Sequence, residues 1–263
     1  MSTDLVTCSV EDHVAVVTLN DPPMNVTALE LTRQLNAVLR RLADDPGTRV
    51  LVLTGAGDRA FCAGSDIKEF PSLIAEGDVV DRKLSFENET FGLVDEFPKP
   101  TIAALNGLAY GGGLELAVCC DLIIAEAGTD VALPEIKLGV IPASGGPVRV
   151  TRRLGEARAV EMMFFGDPLP VETALSWGLV NRVVPRGEAL TTARELASRL
   201  TELPATALAL VKQAVHNGRD GDREAIRSTL PLSEQAFASP DAAEGVRAFL
   251  GKEAPRFNSA PER

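Results

Sequence analysis

The sequence predicts an α/β fold with crossover connections, and three observations carry the prediction. Short apolar runs at Val14–Leu19, Arg49–Thr54, Thr101–Leu105 and Asp121–Ala125 read as strands. Between the first two, Leu31, Leu35, Val38, Leu39 and Leu42 recur on one helical face. Turn signals, Asn20-Asp21-Pro22-Pro23 after the first strand and Pro46-Gly47 after the helix, separate these segments. Strand, connection, helix and strand then repeat, which is the pattern of a sheet built through crossovers.

Taken in order, the first strand leads to a helix from Ala28 to about Asp45. The second strand is apolar enough to be buried, and Gly55-Ala56-Gly57 opens a loop running into Phe61–Lys68. Residues Ile67–Lys99 are charged and weakly patterned. They read as a mobile loop with a helix from about Val80 to Glu96, an insertion suited to shaping a pocket. Beyond Val184 the texture becomes helical: Glu188–Leu203, Pro204–Asn217, Asp222–Phe237 with Pro231 expected to kink or split it, and Asp241–Lys252. The expected division is a core over residues 1–200 and a helical region over 201–263.

Composition excludes several functions. With 263 residues and 45% hydrophobic content the chain can bury one large core. A net charge of −11 disfavours nucleic acid as the main partner. The N-terminus carries Asp4, Glu11 and Asp12 instead of a basic and then apolar signal, and no apolar run is long enough to span a bilayer. The expectation is a cytoplasmic protein without a membrane partner. Cys8, Cys62, Cys119 and Cys120 form no CxxC pair and read as reduced, mostly buried thiols. His13 and His216 are too few for a His-rich metal site. The cluster Arg149, Arg152 and Arg153 reads most simply as a solvated face, with phosphate contact the lesser alternative.

Three stretches carry chemistry. In the first, Pro100–Glu115, a short strand and turn lead to Gly111-Gly112-Gly113 and a helix beginning at Leu114. Glycines at a helix start let backbone approach a ligand, and the first amides lie at the positive end of the dipole. Glu115 would then stand beside an oxyanion site; alternatively it only complements the dipole of a tight turn. The second, Ala63–Lys68, is a glycine turn able to expose amides. The third, Leu133–Gly146, places Glu135 after a proline and before a glycine-rich turn, where it could equally be a pairing carboxylate. A GxGxxG reading from Gly111 fails because Leu116 stands where glycine is needed, no GxxxxGK[ST] occurs, and Ser144 lacks the leading glycine of a GxSxG elbow.

Together these stretches resemble the enoyl-CoA hydratase/isomerase (crotonase) family, from Val14–Leu19 through Phe61–Glu69, Lys99–Asp121, Leu133–Gly146 and Ala174–Val184 to Asp241–Phe257. The resemblance implies a spiral of ββα turns with two roughly perpendicular sheets and a helical C-terminal trimerisation region. It implies an acyl-CoA thioester substrate, no further cofactor and no metal, and a homotrimer or hexamer. By motif, the backbone N–H groups of Ser65 and Gly112 would hold the thioester oxygen. Ala63, Ser65, Asp66, Ile67, Lys68 and Gly112 would line the CoA path, and Lys252 and Phe257 could reach a neighbouring subunit's CoA. Glu135 would be the main acid/base and Glu115 would hold and activate water. Retention of both glutamates favours a hydratase over a double-bond isomerase.

Departures from the family pattern are Ser65, where Ala is frequent, and Ala143-Ser144-Gly145-Gly146-Pro147 in the later turn. The Leu133-Pro134-Glu135 and Pro142-x-Ser144-Gly-Gly combination is similar to the carnitinyl-CoA dehydratase branch. A specialised dehydratase or an isomerase is therefore the alternative function, and a non-enzymatic RNA-binding or scaffold role is the remote one.

Overall fold

The computed structural model of the chain describes residues 4–217, 227 and 229–256. Six strands form the larger sheet: β1 (Val6–Glu11), β2 (Val14–Leu19), β3 (Val50–Gly55), β5 (Thr101–Leu105), β7 (Leu122–Glu126) and β10 (Arg182–Val184). The first pair is antiparallel and every later neighbour is parallel. Strand β3 shows why the order is stable. Val50 and Val52 face one cluster with Ile102 and Ile124, while Leu51 and Leu53 face another with Leu31, Leu35 and Leu39. A strand buried on both faces needs this unbroken apolar run.

Helix α1 (Leu29–Asp44) covers one face of the sheet. Helix α8 (Ala189–Thr201) covers the other through Ala189, Ala193 and Ala197, whose small side chains at four-residue spacing let it lie close.

A second sheet of very short strands positions the site. It contains β4 (Ala60–Cys62), β6 (Leu108–Tyr110), β8 (Asp130–Ala132) and β9 (Leu169–Pro170) in that order. Each turn of the chain places one strand in the larger sheet and the next in the smaller: β3 then β4, β5 then β6, β7 then β8. This is the predicted ββα spiral. Because β4, β6 and β8 are parallel neighbours, their C-terminal ends lie side by side. Ser65, Gly112 and Glu135 follow those ends within two or three residues.

The insertion after β4 differs from the mobile loop expected. It folds as α2 (Phe70–Glu76), a π-helical turn (Val79–Leu84) and α3 (Ser85–Asp95), with Phe70, Leu73, Val79 and Leu84 buried in a third apolar cluster. The helix after β6, α4 (Gly112–Ala117), begins at Gly112 instead of Leu114. Helices α5 (Gly146–Leu154), α6 (Glu156–Phe165), α7 (Val171–Trp177) and α9 (Ala205–Asn217) follow. The described part of the helix predicted over 222–237 is α10 (Thr229–Phe237), which contains Pro231; residues 218–226 and 228 lie outside the described residues. The final helix, α11 (Pro240–Gly251), is capped by the Ser239 hydroxyl, which accepts from the Ala242 N–H. Phe237, Ala242 and Val246 join the same third cluster, so the C-terminal helices pack against the insertion. No helix among the described residues is long and apolar enough to cross a membrane.

Candidate active site

Ser65, Gly112, Glu115 and Glu135 line one cavity of about 80 Å³, with Ala63 and Ile67 from the same predicted set. Asp66 and Lys68 are not among its lining residues. The Asp66 side chain instead accepts from the Lys68 N–H and caps the short turn that follows, and Lys68 is exposed. Lys252 is exposed at the C-cap of α11, and Phe257 lies outside the described residues.

Backbone geometry brings the two amides together. Gly64 has φ +92, and a Cβ there would meet the Tyr110 carbonyl oxygen at 2.9 Å and the Gly112 nitrogen at 3.2 Å. Only glycine combines that conformation with that approach. Gly112 opens α4, so its N–H has no carbonyl one turn back to accept it. The Ser65 N–H finds no acceptor among the described residues either, since the bridge to Thr27 uses the Gly64 carbonyl.

The two glutamates differ in their surroundings. Glu115 is buried, and its Oε1 accepts the Ser144 N–H at 2.9 Å and the Gly146 N–H at 2.7 Å. Its pKa is nevertheless raised to about 7, because burial outweighs these amides; the charge of Glu87 adds to the rise and Arg149 opposes it. Glu135 begins a 3₁₀ turn after β8, and its Oε2 is buried without a hydrogen-bond partner. Burial raises its pKa well above the ordinary value, and the neighbouring Glu115 raises it further. Two carboxyls facing one cavity with unequal environments are arranged to hold one proton between them.

Three features were not legible in the sequence. Glu87, from α3, is a third buried carboxylate lining the cavity, with Lys83 beside it. Arg149 corrects the expectation of a solvated face. It is 5% exposed, its Nε donates to Asp95 at 3.1 Å, and its Nη1 donates to the Ser144 carbonyl at 2.9 Å. Arg152 also carries buried guanidinium nitrogens. The third feature is Phe237, which lines the cavity from the C-terminal region. The thiols take no part: burial pushes Cys62 and Cys119 up to about 12, far from a reactive thiolate. A larger cavity, about 390 Å³, is lined by Cys119, Cys120 and Leu208, but its carboxylates Asp95 and Asp121 are paired with Arg149 and Lys212. Among the described residues it offers no free acid/base pair.

With this geometry in place, the chain matches the enoyl-CoA hydratase/isomerase family model over residues 9–260. The chain belongs to that family. It is 36% identical over 249 residues to a probable enoyl-CoA hydratase of Mycobacterium bovis, covering 94% of this chain and 95% of the relative. It is 36% identical over 251 residues to the carnitinyl-CoA dehydratase of Proteus mirabilis, covering 93% and 94%. Among solved structures, a carnitinyl-CoA hydratase from Mycobacterium avium superposes with a TM-score of 0.87 at 32% identity, covering 98% of this chain and 100% of that one. The crotonase-type fold and enzyme class expected from the sequence are thus borne out. As a member of the family the chain is an enzyme acting on a CoA thioester, and its reaction calls for no cofactor beyond that substrate.

Proposed function

We propose that the chain is an enoyl-CoA hydratase that adds water reversibly across a trans-2-enoyl-CoA, with Glu115 and Glu135 as its acid/base pair. The observation carrying this reading is the pair of carboxyls with raised pKa values lining one cavity with Ser65 and Gly112. Glu115 takes a proton from water as the water oxygen bonds to C3. The C2–C3 π electrons shift toward the thioester, and its oxygen takes up negative charge between the two N–H groups. Glu135, held protonated, delivers its proton to C2. Addition of H and OH is then complete, and the proton on Glu115 passes to Glu135 to reset the pair. Ala63, Ile67, Asp66 and Lys68 would follow the CoA arm, the last two from outside the cavity.

A second reading within the family, dehydration of a functionalised acyl-CoA, is favoured by the polar wall of Glu87, Ser65 and Ser144 and by the similarity to carnitinyl-CoA dehydratases. Exposed apolar side chains on α6, Phe164 at 70% and Phe165 at 66%, support assembly into a homotrimer or hexamer through that face. Residues 1–200 would then be the catalytic core. Residues 201–263 would serve assembly while closing the acyl end of the cavity through Phe237. A place in cytoplasmic fatty-acid metabolism fits the substrate class. The deciding experiment is loss of enoyl-thioester absorbance when the purified chain meets crotonyl-CoA, with Glu135→Gln as control. Rapid loss absent from the control supports the hydratase; no loss with CoA-ester binding intact shifts the assignment to the dehydratase or isomerase reading.

A further inference from the structure

Glu87 stands at the third position of α3 and is 2% exposed. Its carboxylate gathers hydroxyls from three separate loops. The Thr27 hydroxyl donates to Oε1 at 3.0 Å, the Ser65 hydroxyl reaches Oε1 at 2.9 Å and Oε2 at 3.1 Å, and the Ser144 hydroxyl donates to Oε2 at 3.4 Å. One turn earlier, Lys83 lies 3.4 Å from Oε1. Lys83 is itself fully buried and donates to the Thr27 carbonyl and to Glu69, both at 2.7 Å. Burial alone would push its pKa down, but Glu87 and Glu69 more than reverse that, so the ammonium keeps its charge.

A buried ion pair is a poor way to gain stability, because desolvation consumes most of the attraction and apolar side chains of similar size would serve as well. Its carboxylate, Glu87, lines the cavity that holds the acid/base pair. Its acceptor capacity is also spent. A carboxylate has about four lone-pair sites, and three hydroxyls and an ammonium already occupy them. Glu87 is therefore not placed to take a proton from substrate.

Its contacts point to another task. The Ser65 hydroxyl belongs to the residue whose N–H is assigned to the thioester oxygen. The Ser144 hydroxyl belongs to the residue whose N–H holds Glu115 Oε1. One carboxylate thus touches both halves of the proposed machinery. We infer that Glu87 is a positioning residue that holds the Ser65 donor and the Ser144 brace of Glu115 in one register across the cavity. The inference rests on the hydratase reading for the reaction it serves, although its geometric content concerns any acyl thioester bound there.

The test uses the full chain and butyryl-CoA labelled with ¹³C at the thioester carbonyl, a saturated ester that cannot be hydrated. Isotope-edited infrared difference spectra report how strongly the bound carbonyl is polarised. In the wild type the band should lie below that of free butyryl-CoA. In Glu87→Gln the displacement should shrink by about half or more, with Kd changed less than about threefold, because a misaligned donor costs polarisation before it costs binding. With crotonyl-CoA, kcat should fall roughly 10- to 30-fold while KM stays within about threefold. Should Glu87→Gln fail to fold with Lys83 left to Glu69 as its one carboxylate partner, Ser65→Ala cuts the same tie from the other end with the ion pair intact, and should lose part of the displacement. The double variant should fall little below Glu87→Gln alone, since both changes break one linkage. A role limited to fold stability would lower the melting temperature and leave the bound carbonyl band and kcat unchanged; that result in the folded variants overturns the inference. A wild type that binds butyryl-CoA with a displaced band but leaves crotonyl-CoA unhydrated overturns the hydratase reading alone, and the infrared comparison still decides the role of Glu87. A wild type with an undisplaced band overturns both.

Discussion

The Gly146 N–H donates to Glu115 Oε1 at 2.7 Å, and a Cβ on Gly146 would stand 2.9 Å from that same oxygen. The contact therefore needs glycine. With the Ser144 N–H on the same oxygen, Oε1 is committed to backbone, and proton transfer falls to Oε2. In Glu115→Gln, the amide oxygen can still accept both N–H groups, so the variant should keep its fold while losing its base. Turnover of crotonyl-CoA should drop about 10²–10⁴-fold, the usual worth of a positioned acid or base. Glu135→Gln should lose a comparable amount, and butyryl-CoA binding should persist in both. Full activity in either variant removes that residue from the mechanism.

The same two carboxyls set a pH dependence. Hydration needs Glu115 ionised, and its pKa in the free chain is raised to about 7, so the acid limb of the kcat/KM profile should bend near pH 7. Stability runs the other way. A pKa raised in the folded state means that the folded chain binds protons more tightly than the unfolded chain. The resulting stability is fully present below the unfolded value, near 4.5, and is lost as pH rises through about 7. The loss is on the order of a few kcal/mol. Wild-type stability should therefore fall from pH 4.5 to 7 relative to Glu115→Gln, measured by urea unfolding. Parallel curves for the two proteins would show that Glu115 is not held at a raised pKa.

How much of this was legible in the sequence depended on length of pattern. The long runs of β2, β3, β5 and β7 and the helical stripe from Leu31 to Leu42 announced themselves, because burial on both sides of a sheet demands apolar continuity. The strands β4, β6 and β8 did not. Three residues each are too few for any periodicity, and only their parallel pairing makes them strands. Yet those strands align Ser65, Gly112 and Glu135, which were found through glycine patterning and resemblance. Glu87, Lys83 and Arg149 escaped for a different reason. In sequence each sits among charges of a kind that normally face water, and their burial depends on partners 14 to 60 positions away. The turn Gly145–Pro147 stood out in the sequence only as a departure from the family pattern. In the structure Pro147 lies in the first turn of α5, where the N–H that proline lacks has no intrahelical acceptor to lose.

Arg149 offers a test of the supporting frame. It braces the Ser144 carbonyl on one side and pairs with Asp95, 15% exposed, on the other. Arg149→Met keeps most of the volume but removes the guanidinium paired with Asp95 and frees the loop that delivers the Ser144 N–H. Breaking one partner of a pair this buried should cost about 3 kcal/mol in urea unfolding. Loss of the positive charge should also raise Glu115 further, moving the acid limb of kcat/KM to higher pH, since Arg149 now lowers that pKa. Arg149→Lys should rescue little, because a single ammonium cannot reproduce the fork that spans Asp95 and Ser144. An acid limb that stays in place in Arg149→Met would separate this arginine from the electrostatics of Glu115.

Gly113 tests whether the approach of α4 to β4 is obligatory. A Cβ at Gly113 would lie 2.0 Å from the Cys62 carbonyl oxygen and 2.7 Å from its carbonyl carbon, so Gly113→Ala meets backbone, not a side chain that can turn aside. Relief requires α4 to move off the smaller sheet, and the helix carries both Gly112 and Glu115. Overpacking of this kind typically costs ~1–3 kcal/mol and occasionally more. The displacement should also separate the Gly112 amide from Ser65. Gly113→Ala should therefore lose stability in urea and, in whatever fraction remains folded, lose turnover by a further ~10²-fold, the scale of one missing oxyanion donor. Gly92, where a Cβ would meet nothing within 4 Å, is the matched control: Gly92→Ala lies within α3 and should leave turnover intact while gaining a few tenths of a kcal/mol or more from helix propensity. Equal behaviour of the two variants would mean that the helix has room against Cys62 and that its close seat is not what aligns the donors.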